Sequence, residues 1–472
     1  MNKRGYKLRK LWVEVSEEGG RNKKYYPLQV HQRKAEVLQF IGRWDEAEVI
    51  YRKNLEWSYE VKDKKMIAEC KNSLGRLLYP KGNYGVAFSL FEDTYKLYNE
   101  LGDKYGVTTT LGWMGLVYYD QSDYLKAMEC FQKMLNFAEE LNDKQCISIA
   151  VGHIGLVYWY QGNSTKAMEC YQRKLNIAEE LNHKHAISDA MGNIGNLYCE
   201  QGNYSKAIEC YRKQMKIIEE LGAKYSLSHA VGNMGVVYYY QGNYTKAIEC
   251  YQRYFNISEE LGAKEDMGIA LSNIGEIYYE QGNYFEAMGC YQRKLNISEE
   301  LNDKRNISIV MCNLGSLYGR LKNYARAEEY YNKAISIGRE LQVKFFLCEC
   351  LHSKADLCFI LHNMEEAETL NNEALQIAEE IKRPDIIFQC RVLRAKIMAQ
   401  KNITEAIDQF KNLLKESTED SQLASLHYEL FRLTGEQDHR TRALELYRKL
   451  YEKTPKILYK ERIEELEKDE VQ

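Results

Sequence analysis

A chain of 472 residues with 65 Lys and Arg against 68 Asp and Glu carries a net charge of −3, too little to draw it to nucleic acid or an anionic membrane by charge alone. No apolar run approaches the roughly 20 residues needed to cross a bilayer, and the basic N-terminus lacks the apolar stretch of a secretory signal. Four prolines and 38 tyrosines describe a chain of aromatic-packed helices with few breakers.

Residues 1–26 stand apart as a basic arm in which Lys3, Arg4, Lys7, Arg9 and Lys10 precede and surround LWVEV. They read as a solvated arm, an electrostatic docking arm for an acidic partner, or the stump of a preceding domain. From residue 27 the chain repeats itself with a period of 40, plainest where ISDAMGNIGNLYCEQGNYSKAIECYRKQMKIIEELGAKYS is followed by LSHAVGNMGVVYYYQGNYTKAIECYQRYFNISEELGAKED. A fixed period means one supersecondary unit stacked many times. Numbering the unit from Ile187, apolar residues at positions 5, 8, 11 and 12 (Met191, Ile194, Leu197, Tyr198) predict a helix A. Gly202 ends it, Asn203 caps the next segment, and Ala207, Tyr211, Met215, Ile217 and Ile218 predict a helix B closed by Gly222. Gly195 at position 9 and Ala207 at position 21 are small where the two helices cross. An internal helical Gly costs about 1 kcal/mol relative to Ala, so its return as Gly75, Gly115, Gly155, Gly235, Gly275 and Gly315 needs a packing reason.

In chain order the units fall near 27–66, 67–106, 107–146, 147–186, 187–226, 227–266, 267–306, 307–346, 347–385, 386–422 and 423–455. The first has Lys34 and Ala35 where later copies show Ile-Gly, as expected of a terminal repeat with one face in water. Pro80 shortens or kinks helix A of the second. Units three to seven are the most regular. The ninth has Asn371 in place of the aromatic four residues after the Ala, and Pro455 closes the eleventh. In 456–472, Tyr459, Ile463 and Leu466 form one apolar stripe, which predicts a capping helix and tail.

The L/I-G-x-L-Y, G-N-Y-x-x-A and following aromatic of each copy resemble the tetratricopeptide repeat, over about residues 27–455. The usual unit of that family is 34 residues and ends in Pro. Here helix B runs on (IAEELNHK, ISEELGAK), and Lys174, Gln214 and Lys294 replace the second Ala, a pattern similar to the long units of LGN/Pins-type adaptors. Related long units occur in bacterial signalling proteins. The resemblance implies an all-α solenoid superhelix of about eleven antiparallel helix pairs, with the A helices on the concave side.

Thirteen cysteines do not form a disulfide or metal set. Cys130, Cys170, Cys210, Cys250 and Cys290 all hold position 24, one per repeat on B helices roughly 8–10 Å apart, and no zinc spacing occurs. They read as small reduced core residues of a cytoplasmic protein. The N-x-S/T sequons at Asn163, Asn203 and Asn243 are generated by the repeat and read as caps.

The A-helix face left over from packing holds positions 3, 7, 10, 13 and 14. Position 7 reads Asn193, Asn233, Asn273 and Asn313 in four consecutive units. Each side-chain amide offers one acceptor and two donors, enough to hold both sides of an extended peptide backbone, as the Asn at this place does in several tetratricopeptide families. The bland alternative is a solvated or intrahelical Asn that the repeat copies. Position 13 supplies Trp159, Tyr239 and Tyr279, which stack either on ligand side chains or on the next repeat's helix A. Position 14 adds Glu200 and Glu280, making the groove aromatic and mildly acidic. Units three to seven have no Lys or Arg at positions 3, 7 or 10, which counts against a clamp for a C-terminal carboxylate. No P-loop, dinucleotide fingerprint or metalloprotease motif is present, and the His residues are scattered.

The reading is a non-enzymatic interaction scaffold that binds an extended protein segment in the concave groove, with no cofactor or metal. The rival is a regulatory or sensor module of a larger signalling protein whose output domain is not in this chain. Self-association end to end is a third.

Overall fold

The computed structural model describes residues 26–40 and 43–468. Apart from Tyr26, the basic arm lies outside the described residues. The fold is all-helical, with 23 helices and no strand among the described residues. They alternate as A and B partners: α1 (Tyr26–Phe40) with α2 (Trp44–Val61), α3 (Lys64–Leu78) with α4 (Tyr84–Leu101), α5 (Lys104–Asp120) with α6 (Tyr124–Glu140), and α7 (Lys144–Tyr160) with α8 (Ser164–Glu180). Next come α9 (Lys184–Glu200) and α10 (Tyr204–Leu221), and then the pairs α11 (Lys224–Tyr240) with α12 (Tyr244–Leu261), α13 (Lys264–Glu280) with α14 (Tyr284–Glu300), and α15 (Lys304–Arg320) with α16 (Tyr324–Glu340). The last pairs are α17 (Lys344–Ile360) with α18 (Met364–Glu380), α19 (Pro384–Ala399) with α20 (Ile403–Glu416), and α21 (Asp420–Thr434) with α22 (Gln437–Lys453), before the single α23 (Ile457–Lys468). A helices begin at 64, 104, 144, 184, 224, 264, 304, 344 and 384, so the period of 40 in the sequence is a period of 40 in space. The described residues form two compact units, one up to Leu197 and one from Tyr198, each a stack in which successive helices pack on one another.

Local chemistry sets the helix ends. The Asn163, Asn203 and Asn243 side chains accept from the backbone N–H of Lys166, Lys206 and Lys246, the capping role expected of them. Gly222 and Gly262 close their B helices in the left-handed conformation. Helix α3 stops at Leu78, two residues before Pro80.

The core is two columns of side chains. The position-21 alanines, from Ala47 to Ala443, are fully buried. Four residues on stand aromatics, among them Phe91, Phe131, Tyr171, Tyr251, Tyr291 and Tyr331, all at most 4 % exposed. The recurrent glycine is explained by this second column. A Cβ on Gly75, Gly115, Gly235, Gly275 or Gly315 would lie 2.5–2.8 Å from the ring of Phe91, Phe131, Tyr251, Tyr291 or Tyr331, so the missing side chain is the seat of the ring. In the ninth repeat the pair changes together. Ala355 replaces the Gly, and the buried Asn371 replaces the ring, donating 2.8 Å to the Cys390 carbonyl.

An outer ladder was not legible as such. The first Lys of an A helix reaches 36 residues on to the second Glu at the end of its own B helix: Lys64–Glu100, Lys104–Glu140, Lys144–Glu180, Lys224–Glu260, Lys264–Glu300, Lys304–Glu340 and Lys344–Glu380. Both partners are about half exposed, so each pair contributes a few tenths of a kcal/mol at most and weakens with salt. Lys104→Ala should therefore change stability by less than ~0.5 kcal/mol in urea denaturation.

Candidate functional site

The sequence-predicted residues sit on the A-helix faces, but in different circumstances. Asn193 belongs to the first compact unit, and Asn233, Asn273 and Asn313 to the second. All four are half-buried. Among the described residues, no protein group hydrogen-bonds to any of their side-chain amides. The same position in earlier repeats is used for packing. Trp113 stacks on Phe91 with ring centroids 6.1 Å apart, and His153 on Phe131 at 4.8 Å. Position 7 thus faces the aromatic column of the preceding repeat, and the Asn copies bring an unengaged amide to that place. Asn273 lines a cavity of 290 Å³ with Tyr239, Tyr240, Tyr251 and Glu276.

Three of the position-13 aromatics are engaged with the next repeat. The Tyr79 hydroxyl donates to Asp120, Tyr119 meets Tyr160 edge to face at 5.3 Å, and the Tyr239 hydroxyl donates 2.9 Å to Glu280. Each is a position-13 to position-14 link, so of the two uses open to these rings the structure displays the inter-repeat one. Trp159 is half-buried against Tyr160 at 5.3 Å, Tyr279 packs edge to face on Tyr284 at 5.8 Å, and Glu200 is exposed.

Glu280 gathers three partners in the second unit. Its carboxylate accepts from Tyr239 and from Tyr244 (2.6 Å) and pairs with Lys456, which lies 176 residues on in the segment entering α23. Glu276, one turn earlier, is exposed and lines the same 290 Å³ cavity as Asn273. Lost hydration, then the charge of Glu280, pushes its pKa up, and Lys456 pulls the other way. One repeat further, Arg320 occupies the position of Glu280. Its Nε donates 2.9 Å to the Tyr284 hydroxyl, and one terminal nitrogen, Nη2, donates to both carboxylate oxygens of Glu461 of α23 at 2.6 and 2.8 Å. Burial works against the charge on Arg320, and the bonds to Glu461 and Tyr284 outweigh it and hold the pKa up.

Between these groups and α17 lies a cavity of 680 Å³ lined by Tyr279, Ser316, Arg320, Ser353, Asp356 and Glu461, among others. That is the size of a small-ligand or peptide-residue pocket. Sequence reasoning missed Lys456 and Glu461. The one available signal was the change of sign at position 14, from Glu280 to Arg320.

The remaining chemistry is quiet. All thirteen thiols are free, and burial pushes Cys130 and Cys250 up to about 11, which keeps them protonated. Among the described residues no three His, Cys, Asp or Glu side chains converge as metal ligands, and no helix is long and apolar enough to cross a membrane.

A tetratricopeptide-repeat family model matches residues 106–180, 186–260 and 266–340. No curated protein matches the sequence. Among solved structures, the chain is similar to a Rap protein complexed with competence and sporulation factor, at 16 % identity and TM-score 0.50, over 75 % of this chain and 98 % of that one. It is similar to the apo form of the quorum sensor NprR from B. thuringiensis at 16 % identity and TM-score 0.52, over 75 % and 99 %. It is also similar to a signal-transduction ATPase with a tetratricopeptide-repeat sensor from Pyrococcus horikoshii, at 18 % identity and TM-score 0.54, covering 77 % of this chain and 52 % of that one. At these identities the likeness is one of fold.

Proposed function

This chain belongs to the tetratricopeptide-repeat family, and from that premise we propose that it is a non-enzymatic cytoplasmic interaction module that takes an extended peptide along its A-helix faces. The observation that carries the reading is the set of three position-7 amides in the second compact unit, Asn233, Asn273 and Asn313, half-buried and unbonded within the described residues, with Asn193 presenting the same unbonded amide in the first. A side-chain amide left unengaged in a partly dry place gains most from a ligand that offers both a donor and an acceptor, and a peptide backbone does so at every residue. Spread over several repeats, such bonds give affinity with little demand on ligand sequence. Trp159 and Tyr279 then contact ligand side chains, Tyr239 holds Glu280 in place, and Glu200 and Glu280 favour a ligand with basic groups.

A second reading, a sensor module that passes ligand occupancy to an output domain, is favoured by the descriptions of the similar structures. One is a complex with competence and sporulation factor, one a quorum sensor, and one carries a repeat sensor beside an ATPase. Both readings use the same groove.

The test replaces Asn193, Asn233, Asn273 and Asn313 together by Ala. Ala is the better helix former, so circular dichroism should show full helicity. In pull-downs quantified by mass spectrometry, a partner of the native chain should fall at least tenfold on the variant. Equal recovery on both chains would place binding away from the Asn positions.

A further inference from the structure

Helix α23 has two working faces. One caps the stack: Leu466 is 1 % exposed, its carbonyl accepts from the Arg440 guanidinium at 2.7 and 2.8 Å, and Tyr428 donates to Glu465 at 2.6 Å. A terminal repeat needs that much and no more. The other face, with the residues leading into it, runs across the ends of α11, α13 and α15, far back in the chain. A Cβ on Gly242 would lie 2.1 Å from the Lys453 carbonyl oxygen, and one on Gly282 would lie 3.1 Å from the Ile457 side chain. The equivalent turn glycines Gly82, Gly162 and Gly202 meet nothing within 4 Å. The tail therefore sits on two turns that in other repeats are open.

The contacts that hold it there are those expected of a ligand. Lys456 meets Glu280, beside Glu276, and Glu461 meets Arg320. A cation and an anion five residues apart thus match an anion and a cation on successive repeats, in register. Ion pairs at 31 % and 11 % side-chain exposure, and at 32 % and 41 %, are open enough to exchange. Capping alone does not call for them. Leu458 and Glu461 enter the lining of the 680 Å³ cavity, so the tail covers that cavity without filling it.

Building on the groove reading above, we infer that Glu280 and Arg320 form a charge-reading subsite for a peptide bearing a Lys or Arg and, about five residues on, an Asp or Glu, and that residues 453–461 occupy this subsite as the chain's own pseudo-ligand. An incoming peptide of that pattern takes over both ion pairs and frees the groove side of the tail, while the capping side of α23 stays on α21 and α22. Occupancy of the groove is thereby coupled to the hold of the last repeats on the middle ones.

The probe is a fluorescein-labelled peptide of residues 453–464, read by anisotropy against the full-length chain. A tethered competitor acts at an effective concentration on the order of millimolar. The native chain should therefore bind the probe weakly, and full-length Lys456→Glu/Glu461→Lys should bind it at least tenfold more tightly. Adding Glu280→Lys/Arg320→Glu to that variant should abolish the gain. The exchanged residues are partly exposed, and circular dichroism checks that helicity is kept. Independently, saturating probe should speed hydrogen exchange of α23 groove-side amides in the native chain. Equal affinity of native and tail-reversed chains, binding that survives the Glu280/Arg320 reversal, or unchanged exchange in α23 at saturation would each overturn the inference. The result is separable from the Asn test: a partner retained by the four-Ala variant refutes the amide ladder and leaves this exchange standing, whereas a failed exchange with the ladder intact leaves a groove with a permanent cap.

Discussion

Phe131→Ala should destabilise the first compact unit by about 3–5 kcal/mol. The ring is fully buried between Gly115 and His153, in a cluster with Leu111, Ala127, Ile154 and Val157. Truncation leaves a void whose nearest wall is a glycine, which has no side chain to fall into it. Gly115→Ala pulls two ways. The better helix former gains about 1 kcal/mol, while a Cβ 2.5 Å from the ring forces an overpacking cost of about 1–3 kcal/mol, so alone it should destabilise. With Phe131 already removed, the crowding is gone and the propensity gain stands, so the same substitution should stabilise. A repeat array need not unfold in one step. The cycle is therefore best measured by hydrogen exchange of α5 and α6 alongside urea denaturation. An equal effect of Gly115→Ala in both backgrounds would show that the Gly–ring contact is not what fixes the helix pair.

Acidification should weaken the same unit through His153. Burial, helped by the nearby Lys174 charge, lowers its pKa from the ordinary 6.5 to about 4. Between those values the unfolded chain binds a proton that the folded chain refuses, so stability falls as pH drops from about 6.5 to about 4 and the loss stays complete below. At 1.36 kcal/mol per pKa unit the loss is on the order of 3 kcal/mol. Asn is the residue that later repeats carry at this position, so His153→Asn removes the titration with a side chain the fold already accepts there. The native-minus-variant difference in unfolding free energy should shift by roughly 3 kcal/mol between pH 7 and pH 4. Parallel pH profiles would contradict the assignment.

The local features of the repeat were readable because each is a short-range rule. The 3.6-residue stripe marked A and B helices, Asn203 marked a cap, and Pro80 marked the early end of α3. The reason for the glycine was only half legible. Spacing showed that a small residue was needed, but only the structure shows that it seats the ring of its own B helix. The Lys–Glu ladder was not legible because its partners, such as Lys104 and Glu140 or Lys264 and Glu300, stand 36 residues apart at opposite ends of a helix pair. The position-13 rings were undecided between ligand and neighbour because both uses ask for the same residue. The Tyr79, Tyr119 and Tyr239 contacts go to the neighbour. Of the tail pairing, only the change of sign at position 14 was legible. Nothing in a 40-residue period relates Lys456 to Glu280 or Glu461 to Arg320, which stand 176 and 141 residues apart.

The central claim is that a partner lies on the A-helix face. Photo-cross-linking tests it most directly, with p-benzoylphenylalanine placed in the full chain either at Tyr240, which is 51 % exposed beside Asn273, or at Phe285, which is 79 % exposed on helix B. Each substitution keeps an aromatic where one already stands. The account predicts that the partner recovered by pull-down cross-links from Tyr240 and not from Phe285. Cross-linking from Phe285 with none from Tyr240 would contradict it.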